Sequence, residues 1–229
     1  MPLVRRRIEG LYPNAEYEPT VGWERWLIGV DFAARRDFTA IVAVHEIVEP
    51  AQTIDAAWKQ ELMPPRRVVR LAQRLRRGLD YTAIRDHVVS LTRHPTLSDA
   101  SVWCDQTGVG LAVVSMLREA GLAVNGVTMT GGDRTTQTQH DEFRVPKSLL
   151  IEQLNVALSS GGLRFAHDLD DISALRQQVA DFQVEVTQSG KVTANAASGS
   201  HDDYVIALAL AVFACQQNVS LGTPSAVSW

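Results

Sequence analysis

Apolar positions along this chain recur in two periods, and the switch between them outlines the fold. "RWLIGVDF" (25–32) is an unbroken apolar run ending in Asp31, the pattern of a buried strand. "DFTAIVAVHEI" (37–47) is a second β-rich run, so "AARRD" between them is a tight connection and the pair reads as a hairpin. Residues 50–80 stay open: Val68, Leu71, Ala72 and Leu75 follow helical spacing, and a strand also fits. "LDYTAIRDHVVSLTRH" (79–94) predicts a helix with Ile84, Val88 and Leu91 on one face. "ASVWCDQTGVG" (100–110) is a strand, an aspartate and a Gly-containing turn. "LAVVSMLREAG" (111–121) follows as a helix closed by Gly121, and "LAVNGVTMTGG" (122–132) as the next strand. Strand, helix and strand in that order make a βαβ unit, parallel and right-handed.

The polar segment 133–145 predicts a loop, and "PKSLLIEQLNVALSSGG" (146–162) a helix with Pro146 at its start and Gly161 near its end. Residues 170–186 predict an amphipathic helix, and 187–200 a flexible polar segment. The latter leads into "SGSHDDYVIALALAVFA" (198–214), an apolar helix with a histidine and two aspartates at its mouth. The pattern implies one α/β domain over 25–218, with an arm at 1–24 and a tail at 219–229. Its mixed central sheet starts with an antiparallel hairpin, continues with parallel strands and is flanked by helices.

Composition narrows the class without naming a partner. The chain has 229 residues, 45% hydrophobic and 21% charged, with a formal net charge of −4, as in ordinary globular domains. Two cysteines, Cys104 and Cys215, lie in apolar runs, which suits buried thiols in a reducing compartment rather than a disulfide scaffold. No run approaches the ~20 apolar residues of a membrane span. "MPLVRRRIEG" has no apolar segment behind its basic residues, so neither a signal peptide nor a membrane partner is expected, and the cytoplasm is the expected location.

Candidate chemistry sits where strands end and helices begin, the places at which open α/β sheets assemble their sites. Asp31 closes the first strand, Asp105 closes a later one, and Asp202 and Asp203 open the last helix. One acid can accept hydrogen bonds from the free N–H groups of a helix start. A second beside it adds repulsion unless a cation offsets it. One of the pair is therefore expected as a cap and the other turned toward a metal. Carboxylates gathered this way suit hard divalent ions. Asp37, six residues after Asp31, is a turn residue that the short connection could bring near. His201 is a further polar group at the helix mouth, more often neither ligand nor water-orienting group.

Taken together, "IGVDFAARRDFTAIVAV", "VWCDQTGVGLAVVSML", "VPKSLLIEQLNVALSSGGLRF" and "GSHDDYVIALALAVFA" resemble, in order and spacing, the nuclease domain of tailed-phage terminase large subunits. The resemblance spans roughly residues 25–215. It implies a ribonuclease-H-like fold, related to Holliday-junction resolvases, that cuts double-stranded DNA with two divalent cations, Mg²⁺ or Mn²⁺, during genome packaging in a bacterial host. It also implies that Asp31, Asp105 and either Asp202 or Asp203 are the catalytic metal ligands, with Asp37 a further candidate ligand. The terminase ATPase domain, the small terminase subunit and the portal are the implied partners. These large subunits also carry an ATPase motor, whose G-x-x-x-x-G-K-[ST] phosphate loop is missing here. ATP-driven translocation by this chain alone is not expected. An excised domain, a split gene product and a prophage remnant all stay open.

"MPPRRVVRLAQRLRR" (63–77) holds six arginines and no acid: Arg66, Arg67, Arg70, Arg74, Arg76 and Arg77. It reads either as a solvated face or as a phosphate-contacting stripe, whose binding would depend steeply on salt. Arg134 and Arg144 in the polar segment are further candidates for DNA, as is Lys147, which could instead face the acids. Two rival readings keep the fold. One is a resolvase-like nuclease acting on branched DNA; the other is a packaging or interaction module that has lost the metal site.

Overall fold

The computed structural model describes residues 6–9, 21–33, 37–54, 60–186, 192–196 and 202–217. β1 (Arg6–Glu9) pairs antiparallel with the first half of β2 (Val21–Asp31). The strand therefore starts inside the segment expected as an arm, and the expected boundary at residue 24 falls within it. Backbone pairing of Trp23 with Val48 extends the ladder without an apolar run to announce it. β2 and β3 (Ala40–Val48) form the predicted antiparallel hairpin. β4 (Pro50–Ile54) and β5 (Gln60–Leu62) make a small separate ribbon.

The open segment resolves as a strand, β6 (Arg66–Arg74), antiparallel to β3. Its register slips where Ala43 pairs with Leu71 and Val44 with Val69, leaving Arg70 as the extra residue of a bulge. The slip puts Val69 and Ala72 into one core cluster, although strict alternation would send them to opposite faces. The residues at helical spacing divide between the two sides of the sheet, Val68 and Ala72 on one and Leu71 and Leu75 on the other.

α1 (Tyr81–Thr92) starts at Asp80, whose Oδ1 accepts the Ala83 N–H (2.7 Å). β7 (Ser101–Asp105), α2 (Gly110–Glu119) and β8 (Val124–Thr130) form the predicted parallel βαβ unit. The loop expected over 133–145 is instead β9 (Thr136–Gln139) and β10 (Glu142–Pro146), and β10 pairs parallel with β8. α3 (Lys147–Ser159) begins directly after Pro146, and β11 (Leu163–Phe165) returns to pair parallel with β6. α4 (Ile172–Asp181) is shorter than expected. Its predicted last turn and part of the polar segment form a hairpin, β12 (Phe182–Val186) with β13 (Val192–Ala196). "FQVEV" alternates apolar and polar, the period of a strand.

Among the described residues the main sheet has nine strands in the order β11-β6-β3-β2-β7-β8-β10-β9, with β1 beside β2. Ile28, Val30, Ile41 and Cys104 face one side, packed with Ile84 and Val88 of α1 and with Val113 and Leu117 of α2. Leu27, Val42, Trp103 and Val145 face the other, packed with α3, α4 and α5 (Asp203–Gln216). The predicted α/β class, a mixed sheet between helices, is the observed one.

Every residue of α5 from Asp203 to Cys215 is buried, as expected for a helix apolar on all sides. It lies across β2, β3 and β7, beneath α3 and α4. Arg25 Nη2 donates to the Cys215 carbonyl (2.7 Å) at its far end, and Arg25 and Arg67 both pair with the buried Glu46. Among the described residues no helix is long and apolar enough to cross a membrane.

Candidate active site

Strand direction and side-chain alternation bring the acids together. β2, β6, β7 and β10 run parallel, so Asp31, Arg74, Asp105 and Lys147 all come to one edge of the sheet. Asp31 and Asp105 sit one step past the Val30–Cys104 pair, on adjacent strands about 4.8 Å apart. Both lie in phase with Gly29 and Trp103, hence on the α5 side. α5 begins at that edge and delivers Asp202 and Asp203.

Charge and burial follow from this crowding. Burial pushes the Asp31 carboxyl well above the usual carboxylate range, and Asp105, Asp202 and Asp203 push it further while Lys147 opposes them. Burial raises Asp105 as well, against the hydrogen bond its Oδ1 accepts from Thr107 N–H (2.8 Å) and the charge of Lys147. Lys147 Nζ donates to Asp202 Oδ2 (3.0 Å), and Arg74 Nε stands 3.5 Å from Asp203 Oδ2. Asp203 is 5% exposed, whereas the Asp202 side chain is one-third exposed. Two cationic side chains thus already accompany two of the acids. Among the described residues no group of three or more His, Cys, Asp or Glu side chains stands ready-made for an ion.

The remaining candidates scatter. Asp37 is exposed in the connection between β2 and β3. His201 lies outside the described residues. Arg66 and Arg67 face Glu49 and Glu46, eight and seven residues along β6 from Arg74 and roughly 25 Å from the acids. Arg70 is exposed at the bulge between them. The arginine stripe is therefore divided: Arg74, with exposed Arg76 and Arg77 just beyond, is at the acidic edge, and the others are not. Arg144 is exposed on β10, two residues before its end at Pro146. Arg134 is exposed ahead of β9, and Lys147 takes the alternative role of facing the acids.

A family model described as the terminase RNaseH-like domain matches residues 28–214. The chain belongs to this family. The terminase RNaseH-like domain seen here is similar in fold to the large terminase nuclease from thermophilic phage G20c with bound magnesium. That likeness has a TM-score of 0.54 at 20% identity, over 82% of this chain and 80% of that one. The same phage protein with bound cobalt matches equally. The Thermus phage P74-26 large terminase nuclease domain gives a TM-score of 0.53 at 17% identity, over 81% of this chain and 77% of that one. No curated protein matches the sequence.

In this terminase RNaseH-like domain Asp202 does not supply the expected side-chain cap on α5. Asp202 stands at the N-cap position without a side-chain cap bond, and Tyr204 N–H donates instead to Gln178 Oε1 of α4 (2.8 Å). The Tyr204 hydroxyl donates to Asp171. Burial, then that hydrogen bond, holds the phenol far above its ordinary range, so it stays a donor. A glutamine some 26 residues upstream carries no local capping signature, so sequence pattern does not reveal it. Gln178→Ala is expected to lower stability by about 1 kcal/mol, the worth of a helix cap; thermal melts of the two proteins check this.

Proposed function

We propose that this chain is a divalent-metal-dependent endonuclease that cuts double-stranded DNA, the nuclease part of a phage DNA-packaging terminase acting in the cytoplasm of a bacterial host. The observation that carries the reading is Asp31: three other carboxylates, Asp105, Asp202 and Asp203, gather around it, and the last two are accompanied by Lys147 and Arg74. Such a set is the chemistry of hard-cation binding, because a divalent ion removes a repulsion that the fold otherwise sustains. Family membership supports it, as do the magnesium and cobalt bound to the G20c phage nuclease of like fold.

Asp31, Asp105 and Asp203 would hold two ions, Mg²⁺ or Mn²⁺. Asp203 is favoured over Asp202 because it is buried on the first turn of a rigid helix and stands 3.5 Å from Arg74, whereas Asp202 is one-third exposed and is hydrogen-bonded by Lys147 at 3.0 Å. Bound ions would supply a water activated at neutral pH and charge to stabilise the departing oxygen. The residues' own part is positional. Thr107 N–H fixes the Asp105 carboxylate, Lys147 fixes Asp202, and α5 holds its acids on an element clamped at both ends. Arg76, Arg77 and Arg144 are exposed and close to this edge in chain position, and duplex phosphates are their proposed partners. The terminase ATPase domain, small subunit and portal are the proposed protein partners.

A second reading is a module on the same fold without a metal site, favoured by the pairing of Asp202 and Asp203 with Lys147 and Arg74. Plasmid cleavage decides between them. Mn²⁺ or Mg²⁺ is expected to convert supercoiled plasmid to linear product, EDTA to abolish it, and a four-way junction to be cut no faster than linear duplex. No cutting at any metal concentration, with no Mn²⁺ bound in calorimetry, would establish the module instead.

A further inference from the structure

We infer that Arg74 binds the DNA phosphodiester at the acidic cluster, held ready by the rings of Phe38 and Tyr204 and paired with Asp203 only while no cation is there. The identity of the phosphate rests on the nuclease reading; the geometry does not. The Arg74 guanidinium carbon lies over the Tyr204 ring at 4.7 Å and over the Phe38 ring at 5.0 Å. Its contact with Asp203 is looser than a hydrogen bond: Nε stands 3.5 Å from Oδ2, is buried and has no hydrogen-bond partner among the described residues. A charge-assisted N–H···O bond would be about 2.7–2.9 Å. The aromatic faces, more than the carboxylate, therefore fix this guanidinium, and Asp203 can turn to a cation without releasing it.

Both rings are anchored independently of Asp203. Tyr204 is tied through its hydroxyl to Asp171 and through its N–H to Gln178. Phe38 carries the guanidinium of Arg77 as well, 4.2 Å from its centroid, and the next residue, Thr39, accepts the Ala33 N–H on its hydroxyl (3.2 Å). Stacking covers the faces of a guanidinium and leaves its N–H edge for an in-plane acceptor. That fork matches the two free oxygens of a phosphodiester. The Arg74 side chain is one-fifth exposed, at the end of β6 beside the ends of β2 and β7, where such a group must enter to meet Asp31 and Asp105.

The test compares wild type with Arg74→Ala, Arg74→Lys, Phe38→Leu and Phe38→Trp by three readouts. These are Mn²⁺ calorimetry, binding of a short DNA duplex in Ca²⁺, and plasmid cleavage in Mn²⁺. Removing a positive charge beside Asp203 is expected to leave Mn²⁺ affinity unchanged or raise it by up to about tenfold, equivalent to ~1.4 kcal/mol. Duplex affinity should fall about tenfold, and cleavage about 10²-fold, as when one preorganised donor is lost. Arg74→Lys keeps the charge but loses the fork and should fall nearly as far. Phe38→Leu should lie between, and Phe38→Trp should restore function by restoring the ring. Weaker Mn²⁺ binding in Arg74→Ala, with cleavage lost in proportion, would overturn the inference, since Arg74 would then only hold Asp203. Wild-type behaviour of Arg74→Lys would overturn it too. A wild type that binds Mn²⁺ and duplex without cutting defeats the nuclease reading alone, because the two binding readouts still judge Arg74. One that binds neither defeats both.

Discussion

Asp31→Asn abolishes metal-dependent cleavage and, in the same protein, raises the melting temperature of the metal-free state; both results are expected from one carboxylate. Replacing a group that merely supports a ligand commonly costs 10–100-fold in metal affinity or activity, so loss of a ligand itself should reduce cutting by at least about 10³-fold. The stability effect has the opposite sign. Burial and the repulsion of Asp105, Asp202 and Asp203 hold the Asp31 carboxyl above its ordinary range, so the folded chain binds its proton more tightly than the unfolded one. Stability then falls as pH rises from the ordinary carboxylate pKa, about 3.9, up through the raised value. Asparagine keeps the shape and removes the charge. In EDTA at neutral pH the variant should melt several degrees higher, about 2–4 °C for each kcal/mol relieved in a chain of this size. The gap should close in acid, where the wild-type carboxyl is protonated in both states. Added Mn²⁺ should raise the melting temperature of wild type by mass action and leave the variant unmoved. Melting scans from pH 4 to 8 with EDTA or Mn²⁺ measure all of this. A variant less stable than wild type in EDTA, or one that still cuts, would remove Asp31 from the centre of the site.

What the sequence revealed of this site, and what it hid, divides along physical lines. Asp31, Asp105 and the Asp202–Asp203 pair were legible because strand ends and helix starts are marked by local signals, and a βαβ reading fixes which ends share an edge. Strand β6 was ambiguous because the bulge at Arg70 broke its alternation. Strand β9 was illegible for another reason: Thr136, Gln137, Thr138 and Gln139 are all exposed, so no apolar period exists to find. Strand β10 did carry a signal, with Phe143 and Val145 buried around exposed Arg144, but five residues in a polar setting are easily passed over. Supports from distant segments are a third kind. Gln178, Asp171 and Phe38 act through contacts across 26, 33 and 36 positions, and no periodicity encodes which side chain meets which backbone at such range. The six arginines show the same limit. Their clustering was plain, but only the register of β6 against β3 separates Arg74 at the acids from Arg67 at Glu46.

Gly29→Ala is expected to be the most damaging small substitution in the described core, because one methyl group would meet a helix that cannot retreat. A Cβ at position 29 would lie 1.9 Å from the Ala207 carbonyl oxygen and 2.8 Å from the Ala211 nitrogen, both backbone atoms of α5. No rotamer relieves a clash with backbone, so the helix must lift off β2. It is held at one end by Gln178 on Tyr204 and at the other by Arg25 on Cys215. Overpacking typically costs 1–3 kcal/mol, and a clash this close belongs at or above the top of that range. The melting temperature should fall by roughly 6–12 °C. Gly131→Ala is the control, since nothing lies within 4 Å of its added carbon, and it should stay within about 0.5 kcal/mol of wild type. The functional consequence follows from geometry. Gly29 is two residues from Asp31 on the same face, and Asp203 sits on the helix that would be displaced, so lifting α5 separates acids supplied by the sheet from acids supplied by the helix. Mn²⁺ affinity measured well below the melting temperature should therefore drop even where the variant is fully folded. A folded Gly29→Ala protein with wild-type stability and wild-type Mn²⁺ affinity would mean that α5 does not hold the acids in register. If stability falls and affinity is kept, the contact at Gly29 serves packing alone.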